Sequence, residues 1–200
     1  MQMIEAIETV LKANHGWYPG EFTLAGRLLS RGGIAVCGLD GAEFYTFPVL
    51  ADGLHEVYLA YEWDDERGAT VSAVALVAGG TTPQALAGAS WEEASDDVNM
   101  LSDGASAIYS STPGNLAIGG ALGRTAGFAQ AGDPQAHAVA EFRAQQESGS
   151  RTPVLDVVVD PDCGANSLVF PTSCFTSNSI LVGQDESGAG VGIFWSNFDG

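Results

Sequence analysis

Apolar side chains in the first sixteen residues recur at intervals of three and four positions, the spacing of one helix face. The segment ends at Asn14-His15-Gly16, and a glycine in such a place commonly terminates a helix. We therefore predict an amphipathic N-terminal helix that packs against a sheet. Its apolar positions are Met3, Ile4, Ile7, Val10 and Leu11.

Between His55 and Trp63 the side chains alternate with the period of two that is typical of a strand with one buried face. A second apolar run, residues 69–78, follows after the short polar connection DDERG. So short a connection favours antiparallel pairing, because parallel strands need a crossover of about a dozen residues or more. We predict a hairpin over residues 53–78 that turns at Asp64 to Gly68.

Further strand-like runs and one further helix follow from the same reasoning. Residues 133–147 begin with Asp133, a favoured N-cap, and Pro134 at the first helical position. Residues 101–132 are rich in Gly, Ala and Ser without a sustained period, which predicts irregular chain. The other strand-like runs are 32–37, 44–50, 154–159, 166–170, 179–183 and 191–195, with a glycine-rich hairpin loop before the last.

These elements predict an α+β fold with a mainly antiparallel sheet of about six to eight strands, an N-terminal helix and one later helix. A chain of 200 residues, 46% of them hydrophobic, suffices for one core, so we expect a single domain over residues 1–200. No apolar run approaches the roughly 20 residues that cross a bilayer. The N-terminus lacks a secretory signal pattern, and the odd set Cys37, Cys163 and Cys174 favours reduced thiols, so we expect a cytoplasmic protein.

Charge is the strongest compositional feature: 25 acidic against 7 basic residues give a net charge of −18. The few scattered arginines argue against a nucleic-acid partner, whereas an acidic surface suits a basic protein. Solubility or salt tolerance explains the same charge equally well. If a surface binds such a partner, we expect the two densest acidic blocks to form it, although such blocks are commonly solvated faces. Their residues are Asp64, Asp65, Glu66, Glu92, Glu93, Asp96 and Asp97.

The candidate catalytic and metal-binding motifs are weak. Cys174 lies among turn-forming Ser, Thr and Asn residues with no histidine or basic residue nearby in sequence, which favours a turn over an activated nucleophile. Asp160, Asp162 and Cys163 lack a histidine pair or a calcium-loop pattern and also fit a turn. His55 is in phase with the apolar residues of its strand, which favours a satisfied, partly buried residue over a general base. We therefore predict no catalytic residue, no metal site and no cofactor.

Several stretches carry a resemblance to a known family: SRGGIAVCGLDG, the hairpin of residues 53–78, ASWEEA and the C-terminal NSLVFPTSCFTSNSILVGQDESGAGVGIFWSNFD. In this order they resemble the bacterial domain-of-unknown-function family 4241 over most of the chain, with Gly53 to Val57, Trp91-Glu92 and Asn197-Phe198-Asp199 as matching positions. The resemblance implies an α+β fold and brings no established activity. The family also tends to carry two elements that contain an aspartate. The corresponding segments here, around Thr112 and Thr176, lack those aspartates, and this difference implies binding rather than catalysis.

Two functional hypotheses follow. The first is a non-catalytic interaction protein, such as a bacterial immunity-type protein that neutralises a basic toxin or another basic partner, in keeping with the conflict and immunity-like genes among which members of that family occur. The alternative is a small enzyme or small-ligand-binding protein that uses the glycine-rich residues 114–123 and the Cys174 loop.

Overall fold

A computed structural model describes residues 1–16, 20–30, 34–38, 44–47, 50–64, 68–94, 104–110, 154–160, 165–172 and 178–197. These residues form two helices and eleven strands of one sheet. The helices are α1 (Met3–His15) and α2 (Pro83–Gly88). The strands are β1 (Phe22–Ser30), β2 (Ile34–Gly38), β3 (Phe44–Phe47), β4 (Gly53–Asp64), β5 (Gly68–Val77), β6 (Ser90–Glu93), β7 (Gly104–Ser110), β8 (Leu155–Asp160), β9 (Ala165–Thr172), β10 (Asn178–Gln184) and β11 (Gly190–Asn197).

The main path through the sheet is β3-β2-β7-β9-β5-β11-β10-β6, while β4 lies between β1 and β5, and β8 pairs with β9. Apart from a parallel contact between Val71 and Thr172, the pairings are antiparallel. The α+β fold class and the N-terminal helix are confirmed. The hairpin of residues 53–78 is confirmed too, with Asp64 paired to Gly68.

Helix α1 packs one face on the sheet, as its sequence predicts. Its N-terminus is closed by a capping box in which the Gln2 backbone N–H donates to Glu5 Oε2 at 2.7 Å, and it ends at Gly16 with a φ of 79°. The buried face consists of Ala6, Ile7, Val10 and Leu11. It joins a core with Phe22, Tyr58, Ala60, Ala73, Ala75, Leu181 and Phe194 of the sheet.

A second core lies on the opposite face of β4 and β5, where Val57, Leu59 and Leu76 point. A bulge at Ser72 changes the phase of β5: Ala60 pairs with Ala73, but Tyr61 pairs with Val71. The Ser72 hydroxyl is buried and donates to the Ala60 carbonyl at 3.2 Å. Because of the bulge, Val71 and Val74 both enter this core despite their odd spacing.

Strands β1, β8 and β9 are joined by the side chain of Asn166, which is 8% exposed. Its Oδ1 accepts from the Leu29 N–H at 2.9 Å, and its Nδ2 donates to the Arg27 carbonyl at 2.8 Å and to Asp156 Oδ1 at 2.7 Å. β1 pairs with β4 but not with β9, so these side-chain bonds fasten the β1 backbone to the β9 side of the molecule.

Some sequence predictions are wrong, and one concerns residues that the structure does not describe. The irregular chain expected over 101–132 is wrong for 104–110, which form β7 between β2 and β9. Strands β1 and β6 and helix α2 were not expected, and the described residues hold more strands than predicted. The helix predicted at 133–147 lies outside the described residues.

Candidate functional site

Strand β6 ends the main sheet path and carries Glu92 and Glu93, both exposed. Between Ser90 and Glu92, the Trp91 ring turns inward, stacks on Phe194 with 4.4 Å between ring centroids, and donates from Nε1 to the Leu86 carbonyl at 3.2 Å. This ring holds β6 against the sheet, and the two glutamates are thereby fixed on an ordered strand.

The two glutamates differ in their surroundings. Glu93 Oε1 accepts from the Ser179 hydroxyl at 2.6 Å, and its charge acts on His15 at the end of α1. Burial lowers the pKa of His15 below its ordinary value, and Glu93 opposes that shift. Glu93 therefore interacts with Ser179 of β10 and with the charge of His15, whereas Glu92, the adjacent residue of the strand, projects from the opposite face.

Asp64 lies far across the sheet from Glu92 and Glu93. It ends β4, and three strands, β5, β11 and β10, lie between β4 and β6. At a spacing of about 4.8 Å per strand, the separation across the sheet is roughly 19 Å, well beyond the Debye length of about 8 Å in physiological salt. Asp64 and the two glutamates of β6 therefore do not lie next to each other. Asp65, Glu66, Asp96 and Asp97 lie outside the described residues.

Basic side chains are scarce on the described part of the chain, where Lys12 and Arg27 are the only lysine and arginine. Arg27 is directed to Glu56, with 3.5 Å between Nη2 and Oε1. This pair lies on β1 and β4, away from β6, so it does not offset the charge of Glu92.

A cleft of about 660 Å³ lies at the other end of β4 from Asp64. The start of β4, the turn after β5, helix α2 and the β10–β11 hairpin loop all contribute to its walls. The lining residues are Ala51, Asp52, Gly53, Leu54, His55, Ala78, Gly79, Gly80, Thr81, Ala85, Asp185, Ala189, Gly190 and Val191.

His55 is the most buried ionisable group of this cleft, at 2% exposure. Its Nδ1 accepts a hydrogen bond from the Gly79 N–H at 3.2 Å, so the proton of the neutral ring is on Nε2. Nε2 is buried and makes no well-aligned hydrogen bond with a described residue. The expected strand position is confirmed, but the ring is more deeply buried than expected.

Gly79 brings the turn after β5 close to β4. A Cβ at this position would lie 2.3 Å from the Leu54 carbonyl oxygen, which is a backbone atom. The close approach is the reason that the Gly79 N–H reaches the His55 ring, and the next residue, Gly80, completes the turn with a φ of 84°.

Asp185 stands on the opposite wall, in the β10–β11 loop. Its Oδ1 accepts from the Ser187 hydroxyl at 2.6 Å, the Ser187 N–H at 2.9 Å and the Ala189 N–H at 3.0 Å. These bonds, the Ser187 hydroxyl first, lower the pKa of Asp185, so its carboxylate is anionic at neutral pH.

We predict that the His55 ring titrates below 6.5, because burial of the ring lowers its pKa while the Ala51 backbone and the Asp52 charge oppose the shift. Asp52→Asn should lower the pKa further by removing that charge. A proton NMR titration, with the signal assigned by its loss in His55→Gln, measures both; a pKa at or above 6.5 would contradict the burial.

By linkage, the unfolded chain binds the proton more tightly than the folded chain does. His55 therefore lowers the stability of the fold as pH falls below 6.5 and contributes nothing above it.

Other candidate motifs fall on parts of the chain that the structure leaves undescribed: Cys163, Cys174 and the glycine-rich residues 114–123. Asp160 ends β8, with its neighbours Asp162 and Cys163 likewise undescribed. Over the described ranges, no group of three His, Cys, Asp or Glu side chains is placed to hold a metal ion. None of the described helices is long and apolar enough to span a membrane.

Comparisons with known proteins give no match: no family model, no curated protein and no solved structure is similar to this sequence. The resemblance to family 4241 therefore stays a prediction.

Proposed function

We propose that this protein is a non-catalytic, acidic interaction protein that binds a basic protein partner, with the β6 edge around Glu92 as the contact surface. The observation that carries the proposal is the pair of exposed carboxylates on an ordered strand at the end of the sheet, in a chain with a net charge of −18. Lysine and arginine are absent from the described residues of this edge.

Charge of this kind acts mainly on the rate of association. Carboxylates at the rim of an interface steer an oppositely charged partner and are screened by salt. Because screening acts over about 8 Å at physiological salt, a local group of charges contributes more than the same charge spread over the surface. Such steering fits an immunity-type protein that neutralises a basic toxin. This role also agrees with the resemblance to family 4241.

The test is Glu92→Lys compared with Glu21→Lys, which changes the net charge equally. Both residues are exposed, but Glu21 precedes β1, on the far side of β4 from β6. With a basic partner captured on immobilised protein, we expect Glu92→Lys to slow association by about threefold or more at low salt, and Glu21→Lys to do much less.

Association rates across a salt series measure the difference. Equal slowing by the two variants would show that only net charge matters, and failure to retain any basic protein would remove the proposal. Glu93 is left unchanged because its bond to Ser179 would mix a packing effect into the result.

A further inference from the structure

The outer edge of β6 presents backbone groups as well as carboxylates. We propose that the basic partner adds a strand to this edge, with its backbone paired to Trp91 and Glu93 and with a lysine or arginine side chain opposite Glu92. This inference rests on the proposed function, because it concerns the same surface and the same partner. It specifies that the binding part of the partner is an extended basic segment.

The course of the β6 backbone decides which of its groups face outward. The Ala94 N–H donates to the Ile180 carbonyl of β10 at 2.8 Å. In an antiparallel pair, successive residues direct their N–H and C=O groups alternately toward the neighbouring strand and away from it, so Glu92 faces β10 as well. The N–H and C=O groups of Trp91 and Glu93 therefore point away from β10. No residue in the described part of the chain pairs with them.

The Trp91 side chain holds this strand in place from its inner side. The ring stacks on Phe194 and lies so close to Gly183 that a Cβ there would be 2.7 Å from a ring carbon. Because the side chain provides this anchor, the outward N–H and C=O groups of Trp91 are left to an incoming strand. A strand that is already held extended loses little conformational freedom on binding, which favours pairing.

The charge of the edge selects the kind of strand. If two copies of this chain paired antiparallel through Trp91 and Glu93, Glu92 of one copy would lie opposite Glu92 of the other, and like charges directly opposite destabilise a sheet. A lysine or arginine at that position of an incoming strand forms a favourable cross-strand pair instead. When a peptide adds to a sheet edge, its main chain supplies affinity and its alternate side chains supply specificity. The edge therefore disfavours a second copy and suits a basic strand.

The experiment uses two probes of equal charge. One is the peptide acetyl-Lys-Thr-Lys-Val-Lys-Thr-Lys-amide, and the other is spermine, which carries the same four positive charges without a peptide backbone. NMR measures binding and the hydrogen exchange of individual backbone amides. We expect the peptide to bind saturably and to slow exchange of the Trp91 and Glu93 amides by about fivefold or more, since exchange requires the new bonds to open. The Glu92 amide, which faces β10, should change little, and spermine should protect none of the three.

A pair of variants at one position then separates backbone pairing from charge. Glu93→Pro and Glu93→Ala both remove the carboxylate and its bond to Ser179, but only proline also removes the outward N–H. Proline is tolerated on an edge strand where its nitrogen faces away from the neighbouring strand, so the pairing with β10 is kept. We expect Glu93→Pro to bind the peptide about fivefold to tenfold more weakly than Glu93→Ala, because one backbone bond is lost and the ring obstructs the edge.

The outcomes distinguish strand addition from the acidic-edge function. Binding of the peptide without protection of the Trp91 and Glu93 amides, or equal binding by the proline and alanine variants, would overturn strand addition and leave an acidic surface that acts by charge alone. Failure of the peptide to bind up to its solubility limit would also overturn strand addition. The acidic-edge function is decided separately, by the retention of a basic protein and the effect of Glu92→Lys on its association.

Discussion

Replacement of Gly79 by alanine is expected to destabilise the protein by about 3 kcal/mol. The new Cβ would lie 2.3 Å from the Leu54 carbonyl oxygen, and neither atom belongs to a side chain that can rotate away. The turn after β5 would have to move, which also breaks the bond from the Gly79 N–H to His55 Nδ1. In a chain of this length each kcal/mol lowers the melting temperature by about 2–4 °C, so thermal unfolding measures the effect easily.

Gly88→Ala provides the matched control. Gly88 ends α2, and a Cβ there meets no atom within 4 Å. Alanine also has the better helix propensity, so this variant should be neutral or slightly stabilised. The NMR signals of His55 should shift in Gly79→Ala and stay in place in Gly88→Ala. Equal melting temperatures for the two variants would show that the turn at Gly79 does not pack tightly against the Leu54 carbonyl of β4.

The paired strands β4 and β5 illustrate what a period-two pattern predicts. Their alternation places Val57 and Leu59 in one core and Tyr58 and Ala60 in the other, and their short connection fixes the antiparallel direction. Helix α1 follows in the same way from its apolar face. These are long elements with a clear period, and each buries the side chains that carry it.

The missed strands lack such a pattern. β7 reads GASAIYS, whose small residues carry little hydrophobic signal, although Ile108 is fully buried. In β1, Leu24 is 52% exposed and the pairing shifts between Leu24 and Gly26, so the strand does not alternate regularly. β6 has four residues, too few to show a period. These strands are determined by pairing with distant segments of the chain, and a local sequence pattern carries no information about that pairing.

The cleft was likewise beyond local sequence patterns. His55 and Gly79 are 24 positions apart, and Asp185 comes from a third segment. The alternation around His55 correctly placed it on a strand with its ring inward. It could not show that the next turn supplies a donor to Nδ1, because that depends on the β4–β5 register and on the absence of a side chain at Gly79.

Asn166→Asp is expected to cost about 4 kcal/mol of folding free energy at neutral pH, the larger of the two effects. The substitution keeps the acceptor for the Leu29 N–H but removes the amide donor to the Arg27 carbonyl and to Asp156 Oδ1. A new carboxylate would face the Asp156 carboxylate at the present 2.7 Å contact, and two such groups cannot both stay ionised without strong repulsion. The cost should shrink under acidic conditions, where one proton shared by the pair restores a donor.

The double variant Asn166→Asp with Asp156→Asn tests this explanation by exchanging the two side chains. The amide at position 156 can then donate to the carboxylate at position 166, so the repulsion disappears while the Arg27 carbonyl remains without its donor. We therefore expect roughly half of the lost stability to return, as measured by urea unfolding, and the acid dependence to weaken. Asp156→Asn alone should cost far less than Asn166→Asp, because its exposed amide can turn to water. If the double variant were no more stable than Asn166→Asp, the penalty would belong to the lost Arg27 bond alone, and the paired carboxylates would not be its cause.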